Sequence, residues 1–316
     1  MQHSRPPGGA RIMCLGGVAL DRVFLVDRLP SGTSKIVAHD LYERGGGMAA
    51  TAAVAIAALG GSVRLLARVG DDMAGRAVIA ELRKAGVDAG GVLCAPQGRT
   101  ATSAVHIDAA GERMLTNFRG DLPAETDWLP LVDVASQSAV LADVRWVEGA
   151  RSLLKAARTG GVPSVLDADA GDPESLRELA GLADHAVFSE QGLRQLGGST
   201  DLETGLRNVR GRSGQVVGVT LGERGSLWLE GERLFHVAAV EIDAVNSNGV
   251  GDVFHGAYAL AIGEGSSVPD AARLATFAAA VKCRDIRGWD GMPSRAAIAS
   301  LSARSAGEPR VGAAEA

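Results

Sequence analysis

Cysteines are scarce in this sequence, and their positions exclude two kinds of stabilised fold. Cys14, Cys94 and Cys283 are odd in number, lie far apart, and show none of the short spacings of a zinc site or a disulfide framework. We therefore expect free thiols and a reducing compartment, the cytoplasm.

The sequence also lacks an excess of basic residues and an apolar run long enough to span a membrane. Its 32 Lys and Arg against 37 Asp and Glu give a net charge of −5 at pH 7, whereas nucleic-acid binders cluster cations against phosphates. The longest apolar stretch, residues 48–61, is mostly alanine and shorter than the roughly 20 residues that cross a bilayer. No apolar segment of signal-peptide length precedes the first predicted strand. We expect no nucleic-acid partner, no membrane span and no export.

Short strand-like runs alternate with helical stretches along the chain. With 46% hydrophobic residues, the chain can bury a sizeable core. Strand-like runs flank amphipathic segments such as residues 75–86, 150–161 and 173–183. Strands that alternate with helices are typical of a parallel sheet covered on both faces. The pattern therefore predicts one principal α/β domain.

Two segments interrupt this alternation. Residues 21–47 and 98–121 are polar, rich in strand-forming residues, punctuated by Gly and Pro turns, and free of helical stretches. They could be edge strands of the main sheet, but we favour a small separate sheet that acts as a lid. We assign residues 21–44 and 98–121 to this lid, and we predict flexible tails at 1–10 and 303–316.

The glycine-bearing turn NSNGVGD (246–252) connects a strand-like segment, residues 235–242, to a helical one that begins at Val253. Such a turn presents unpaired backbone N–H groups and the positive end of a helix dipole, so it can hold an anion. An aspartate at a helix start is also a common cap. The turn alone does not decide between the two interpretations.

A second glycine cluster changes this balance. It precedes a buried helix and a strand, which lead to Gly70, Asp72 and Gly75 before another helix. Together with the NGVGD turn, this segment resembles the two signatures of the PfkB, or ribokinase-like, carbohydrate kinases, and the resemblance covers residues 11–302. It implies a ribokinase-like three-layer α/β sandwich with a central, mostly parallel sheet and a small β-sheet lid. It also implies ATP-dependent phosphorylation of a sugar hydroxyl.

The resemblance assigns catalysis to the C-terminal signature. Gly249, Val250 and Gly251 would donate backbone N–H groups to the transferring phosphoryl oxygens. Asp252 would take the proton of the sugar hydroxyl as general base. Phosphoryl transfer needs alignment, charge neutralisation and a base rather than covalent chemistry by the protein, and a glycine turn with one carboxylate suits it.

The resemblance places the sugar at the N-terminal signature. Asp21 would grip sugar hydroxyls, although it could instead cap a strand end. Gly45, Gly46 and Gly47 would let the backbone approach the sugar closely. Thr51 stands where many family members have asparagine.

The nucleotide site is carried by a Thr-x-Gly-x-x-Gly segment that resembles the family's approach to the ATP phosphates, with a tight turn between strands as the alternative. The predicted nucleotide contacts are Ser189, Thr220, Gly222, Gly225 and Asn248. The family often uses Asn-x-x-Glu to organise Mg²⁺, whereas residues 188–192 read FSEQG, so the metal-organising residues stay unassigned. Asn246 replaces an Asp that serves a monovalent-cation loop, and we expect any K⁺ dependence to be weak.

Three polar residues point to the kind of sugar. Lys35 lies in the first lid segment, Asn117 in the second, and Arg145 follows an apolar strand at its ligand-binding end. A guanidinium there suits a phosphate or sulfonate, although exposed cations often only solvate a surface. The sequences of several segments resemble those of the sulfofructose kinase branch. This resemblance implies that the substrate is 6-deoxy-6-sulfofructose and that it is phosphorylated at C1.

Two groups of alternatives stay open. Fructose, fructose 6-phosphate and tagatose 6-phosphate are other substrates of neighbouring branches, and a sugar sensor without turnover is a different class of function. Exposed strand edges in the lid also favour a homodimer that forms through the lid sheet.

Overall fold

A large sheet forms the centre of the protein, as seen in a computed structural model that describes residues 9–33, 35–245 and 247–307. Its nine strands within these residues, numbered along the chain, lie in the order β13 (Arg233–Val237), β12 (Ser226–Glu230), β11 (Val216–Thr220), β10 (His185–Ser189), β9 (Ser164–Ala168), β8 (Ala139–Asp143), β1 (Arg11–Gly16), β4 (Ser62–Gly70) and β5 (Asp88–Ala95). The strands from β11 to β5 are parallel, and β12 and β13 add an antiparallel hairpin at one edge. The predicted parallel sheet is confirmed.

Helices cover both faces of this sheet. They are α1 (Met48–Ala58), α2 (Met73–Lys84), α3 (Val147–Gly160), α4 (Pro173–Leu182), α5 (Glu190–Gly197), α6 (Leu202–Val209), α7 (Val250–Gly263), α8 (Val268–Cys283) and α9 (Arg295–Gly307). One apolar cluster joins the sheet to α1, α2, α7, α8 and α9, and a second joins its other face to α3, α4, α5 and α6. The three-layer sandwich is therefore confirmed.

The N-terminal signature has a packing role as well as a predicted functional one. Helix α1 is buried continuously from Ala49 to Ile56, because a helix without a polar face has to be enclosed. Asp72 caps α2 by accepting from the Gly75 N–H at 2.8 Å. A Cβ on Gly75 would lie 2.3 Å from the Gly70 carbonyl oxygen. These residues hold α2 tightly against the end of β4.

A separate four-stranded sheet of described residues corresponds to the predicted lid. Its order is β3 (Asp40–Gly46), β2 (Ala19–Leu25), β6 (Ala101–Ile107) and β7 (Arg113–Phe118), with β2 and β6 parallel and the other neighbours antiparallel. Both predicted segments contribute two strands to it. The alternative, that these segments are edge strands of the main sheet, is wrong.

Some predicted boundaries differ from the structure. The strand predicted at 235–242 ends at Val237, because β12, its pairing partner, begins at Ser226 opposite that residue and offers no further backbone groups. Helix α9 continues to Gly307, past the predicted domain end at 302. Asn246 and the tail residues 1–8 and 308–316 lie outside the described residues. Over the part of the chain that is described, no helix combines the length and apolarity needed to cross a bilayer.

Candidate active site

The predicted functional residues of the large sheet lie where its parallel strands end. Ser189 ends β10, Thr220 ends β11 and Arg145 follows the end of β8, while helix α7 contacts β1, β8 and β9. Ligands of open α/β sheets bind outside the carboxyl ends of the strands. The candidate site therefore lies at the expected edge.

Helix α7 begins with a glycine turn that suits an anion. Gly249 precedes the helix with a φ of 70°, a left-handed conformation that glycine adopts at little cost. No described side chain caps this terminus, and a Cβ on Gly251 would meet no described atom within 4 Å. The turn, with Val250 as the first helical residue, leaves room at the positive end of the helix dipole.

Asp252 lies half-buried in the first turn of α7. Burial raises its pKa well above the ordinary value, the Asp167 charge adds to this, and His255 opposes it. Asp143 and Asp169 raise the pKa further. A carboxylate with a raised pKa is a stronger proton acceptor, as a general base requires.

His255, one turn further along α7, forms a buried ion pair that the sequence pattern did not predict. Its Nδ1 lies 2.7 Å from the Gly251 carbonyl oxygen and 3.1 Å from Asp167 Oδ2. Burial acts to lower its pKa, but the Asp167 carboxylate outweighs this and the pKa rises to about 9. Two features of the sequence could have indicated this pair: Asp167 lies near the end of a strand-like run, and His255 follows Asp252 by three residues.

Asp143 is a second buried carboxylate that the sequence reasoning left out. Its oxygens accept from the backbone N–H groups of Gly17 at 2.8 Å, Ala49 at 2.9 Å and Arg145 at 2.7 Å. Burial raises its pKa to about 6, and these hydrogen bonds limit the shift. Asp143 therefore joins β8 to the start of α1.

Asp21 lies on the lid strand β2 and contacts Asn248 in the glycine turn that precedes α7. Its carboxylate accepts from the side chains of Ser103 and Asn248, and Arg44 lies 4.0 Å away. Burial raises its pKa and these partners lower it. Asn248, which the sequence assigned to the nucleotide, is thus in contact with the predicted sugar site.

The glycine cluster makes room for protein groups. A Cβ on Gly45 would lie 2.2 Å from the Trp289 ring, and one on Gly46 would lie 2.8 Å from Asp21 Oδ2. Gly47 has a φ of 97°, and its Cβ would lie 2.5 Å from a backbone oxygen. These contacts give the cluster a structural reason beyond the predicted approach to a sugar.

Trp289 and Thr51 connect this cluster to the glycine turn that precedes α7. The Trp289 indole N–H donates to the Thr51 hydroxyl at 3.1 Å. A Cβ on Gly249 would lie 3.2 Å from the Thr51 methyl carbon. Sequence reasoning gave no role to Trp289, because it lies 238 residues from Thr51 along the chain.

Arg145 lies at the predicted edge of the sheet but is already paired. Its guanidinium is 2.6 Å from Asp169 Oδ2, and its Nε donates to the Met48 sulfur at 3.1 Å. Lys35 lies exposed in the connection between β2 and β3, and Asn117 is exposed on β7 opposite Ser103. The structure does not bring Lys35 and Arg145 together through any contact among the described residues.

The predicted nucleotide segment follows β11. The Thr220 hydroxyl donates to the Phe188 carbonyl oxygen at 3.3 Å, and Gly222 and Gly225 have φ values of 59° and 80°. A Cβ on Gly225 would lie 2.1 Å from the Val237 carbonyl oxygen. The segment therefore forms a tight turn between β11 and β12, and this turn lies beside the end of β10.

Ser189 has protein partners of its own. Its hydroxyl caps α5 by accepting from the Gly192 N–H at 3.0 Å and donates to Asp169 at 2.9 Å. The neighbouring Glu190 holds both Arg194 and Arg224. Among the residues described, no group of three His, Cys, Asp or Glu side chains could hold a metal ion.

The chain is similar to a known family of enzymes over most of its length. The model of the pfkB family of carbohydrate kinases matches residues 10–294. Ribokinase of Lactococcus lactis subsp. lactis is 25% identical over 293 residues, which are 90% of this chain and 94% of that protein. Fructokinase of Klebsiella pneumoniae is 30% identical over 247 residues, 73% of this chain and 79% of that protein.

Solved structures share the fold. A crystal structure from Agrobacterium tumefaciens, of a protein provisionally named a ribokinase, has a TM-score of 0.91 and 34% identity, covering 96% of this chain and 100% of that one. Ribokinase of Arabidopsis thaliana, solved with ribose and ATP, has a TM-score of 0.82 and 23% identity, covering 93% of this chain and 98% of that one.

Proposed function

Because the chain belongs to the pfkB family of carbohydrate kinases and is an ATP-dependent sugar kinase, we propose that Asp252 is its general base. The observation that carries this proposal is a half-buried carboxylate of raised pKa in the first turn of α7, beside a terminus with room for an anion. A sugar sensor without turnover would have no use for this combination.

The chemistry follows from that placement. Asp252 takes the proton of a sugar hydroxyl, and the hydroxyl oxygen forms a bond to the γ-phosphorus of ATP. The bond from that phosphorus to the bridging oxygen breaks, and ADP leaves with that oxygen. The N–H groups of Gly249, Val250 and Gly251 would stabilise the negative charge on the phosphoryl oxygens.

The sugar would lie between the lid and the catalytic turn. Asp21 and Asn248 contact each other across this gap and offer an acceptor and an amide to sugar hydroxyls. Burial already raises the pKa of Asp21, so hydrogen bonds from hydroxyls would replace lost solvation. Thr51, held by Trp289, lines the same gap beside Gly249.

The contacts favour a neutral sugar, such as the ketose or pentose that the names of the relatives suggest. An anionic ketose such as 6-deoxy-6-sulfofructose, phosphorylated at C1, needs a cation that is not neutralised. Arg145 lies at the ligand-binding edge, which supports the anionic candidate, but Asp169 already compensates its charge. Lys35 is exposed in the connection between β2 and β3, and no contact among the described residues joins it to Arg145. An anion would therefore have to compete with an existing ion pair.

A turnover screen distinguishes these substrates. ADP release would be measured with ribose, fructose, fructose 6-phosphate, tagatose 6-phosphate and sulfofructose, in the parent and in Arg145→Ala. We expect the highest kcat/KM for a neutral sugar and a similar loss for all sugars in the variant. A preference for sulfofructose that Arg145→Ala removes by more than about tenfold, while fructose is unaffected, would establish the anionic substrate instead.

Asp252→Asn tests the catalytic role. The amide keeps the size of the side chain but cannot accept the proton, so turnover should fall by about 100-fold or more. Sugar binding and the melting temperature should stay close to those of the parent, because the amide has nearly the same shape as the half-buried carboxyl group and leaves the packing unchanged. Turnover within a few-fold of the parent would show that another group is the base.

The nucleotide and its ions would bind on the other side of the glycine turn from the sugar. The turn of Thr220, Gly222 and Gly225, together with Ser189, would line the nucleotide side. Mg²⁺ would bind together with the phosphates of ATP, since it often takes much of its coordination from substrate and water.

The weak dependence on K⁺ stays a prediction, because Asn246, on which it rests, lies outside the described residues. Turnover measured in potassium chloride would be compared with turnover measured in tetramethylammonium chloride. Free thiols at all three cysteines support a cytoplasmic enzyme.

A further inference from the structure

The surroundings of the His255 ring require it to be charged. Nδ1 faces the Gly251 carbonyl oxygen at 2.7 Å and the Asp167 carboxylate at 3.1 Å, while Nε2 faces the Val187 carbonyl oxygen at 3.3 Å. Carbonyl and carboxylate oxygens only accept hydrogen bonds, so a neutral ring would direct a lone pair at one of them. An imidazolium, with a proton on each nitrogen, is the form that satisfies all three acceptors.

Asp167 supplies the compensating charge. It lies on β9, pairs in register with Asp143 on β8, and is 5% exposed, while His255 is 3% exposed. A lone charge of either sign at this depth would be strongly destabilising. The two together have no net charge, and they lie next to Asp252, whose pKa responds to both.

The pair also contacts the backbone of the catalytic turn. The Gly251 carbonyl oxygen belongs to the residue before Asp252 and to the segment whose N–H groups would face the phosphoryl oxygens. This carbonyl lies in the peptide plane that joins Gly251 to Asp252, so a hydrogen bond from the buried His255 side chain helps to hold the backbone at the junction of the N–H donors and the base. A small error in this placement weakens transition-state binding.

We infer that His255 and Asp167 form a positioning pair for the catalytic turn, in which His255 holds the Gly251 carbonyl and Asp167 keeps the net charge beside Asp252 at zero. This inference rests on the proposed role of Asp252. Neither residue would touch the sugar or the nucleotide, and both act through Gly251 and Asp252.

Other charged groups around Asp252 define the background for a test. Asp143 on β8 and Asp169 after β9 both raise its pKa, and Arg145 neutralises Asp169. Helix α1 carries no ionisable side chain. The charged residues of α8 are engaged elsewhere, Asp270 with Arg273 and Lys282 with the Asp285 carbonyl. Strand β1 contributes the buried Cys14, whose pKa burial raises.

The test uses the pH dependence of kcat/KM for the sugar at saturating ATP. His255→Asn keeps a donor for the Gly251 carbonyl but leaves Asp167 unpaired, so the acidic limb should move to higher pH by about 1 unit. Asp167→Asn should move this limb to lower pH or leave it in place. The double variant restores zero net charge, so its limb should return close to that of the parent.

Each of these pH profiles can contradict the inference. A limb that does not move in His255→Asn, that moves upward in Asp167→Asn, or that stays shifted in the double variant would overturn the inference. His255→Leu, which also lacks the donor, should lose more kcat than His255→Asn at the pH optimum of each; equal losses would overturn the positioning role. Melting temperatures and ADP binding would show that each variant is folded.

A spectroscopic measurement tests the charge without relying on activity. The ¹⁵N chemical shifts of His255 at pH 7 should report two protonated ring nitrogens. His185 is a matched control in the same spectrum, because it is also enclosed but burial lowers its pKa to about 4, so it should be neutral. A neutral His255 would overturn the inference. An active Asp252→Asn enzyme would instead refute the proposed function, so the two failures are distinguishable.

Discussion

Asp143 and Asp252 show how neighbouring carboxylic acids take different roles at the scale of single residues. Burial raises the pKa of both. Asp143 is fixed by three backbone N–H groups and serves to join β8 to α1. Asp252 lies beside the open space at Gly251, where the proposed mechanism would have it take the proton of a bound hydroxyl. The partners of each carboxylate, rather than its residue type, separate structure from catalysis.

Asp143 should make the stability of the protein depend on pH. Its folded pKa of about 6 lies above the ordinary 3.8, so the native state binds this proton more tightly than the unfolded chain does. Its contribution is therefore most favourable below about pH 4 and is lost as the pH rises to about 6. In Asp143→Asn, the free energy of unfolding should fall less steeply between these values.

Urea unfolding at several pH values measures this slope. The exposed Asp127 provides a control, since Asp127→Asn changes the same chemical group outside the core. We also expect Asp143→Asn to be less stable than the parent at every pH by about 1–3 kcal/mol, because an amide N–H₂ would face a backbone N–H donor. An unchanged slope would mean that Asp143 is ionised at the same pH in both states.

The start of α7 illustrates the scale of one secondary-structure element. A helix terminus without a side-chain cap is a cost to stability, since its first N–H groups lack partners in the protein. Here the terminus also carries Gly249 and Gly251, which add backbone entropy to that cost. The arrangement is stable because α7 packs against α1, α8 and the sheet, so tertiary contacts offset a poor local sequence.

Gly251→Ala should separate stability from activity. Its Cβ would meet no described atom, and alanine is a better helix former, so the melting temperature should stay the same or rise. The methyl group would occupy space that a phosphoryl group needs, so turnover should fall roughly tenfold or more. Thermal melts and ADP release would be measured together.

Gly181 provides the matched control for this variant. It is a helical glycine in α4 whose Cβ would also meet nothing within 4 Å. Gly181→Ala should stabilise the protein to a similar extent and keep full turnover. A fully active Gly251→Ala enzyme would remove the argument for an anion at the start of α7.

At the scale of the whole molecule, the lid exposes a row of large side chains. Leu41 and Met114 lie in one row across this sheet, joined through Phe24 and His106, whose rings stack at 5.2 Å. Leu41 is 54% exposed and Met114 37% exposed. The row lies on the face opposite to Asp21, because side chains alternate along a strand. An apolar face of this kind supports the predicted homodimer through the lid.

Leu41→Glu tests this assembly. A carboxylate placed in an apolar interface would be desolvated, so a dimer should dissociate while turnover of the isolated subunit persists. Light scattering coupled to size exclusion would give the mass of the 32.4 kDa chain or its double. Val132→Glu, which changes a 90% exposed valine away from the lid, is the control. A parent protein that is monomeric at micromolar concentration would refute the dimer.

The sequence by itself determined the layered α/β fold, the separate small sheet and the glycine turn that begins α7. Periodic apolar runs specify strands and helices locally, and glycine turns leave a direct record in the chain, so both are visible without coordinates. Asp21 and Asp252 could be named because each belongs to a local signature that resembles those of a known family.

Only the tertiary structure decided which polar groups are partners. His255 contacts Asp167 across 88 residues and Trp289 contacts Thr51 across 238, and no local pattern encodes such pairs. The sequence placed Arg145 at the end of a strand, but it did not show that Asp169, which follows the neighbouring strand β9, compensates the Arg145 charge. Hydrogen bonds and ion pairs act over a few ångströms in space, so the charge at the active site is set by the packing of the sheet edge and not by the order of residues along the chain.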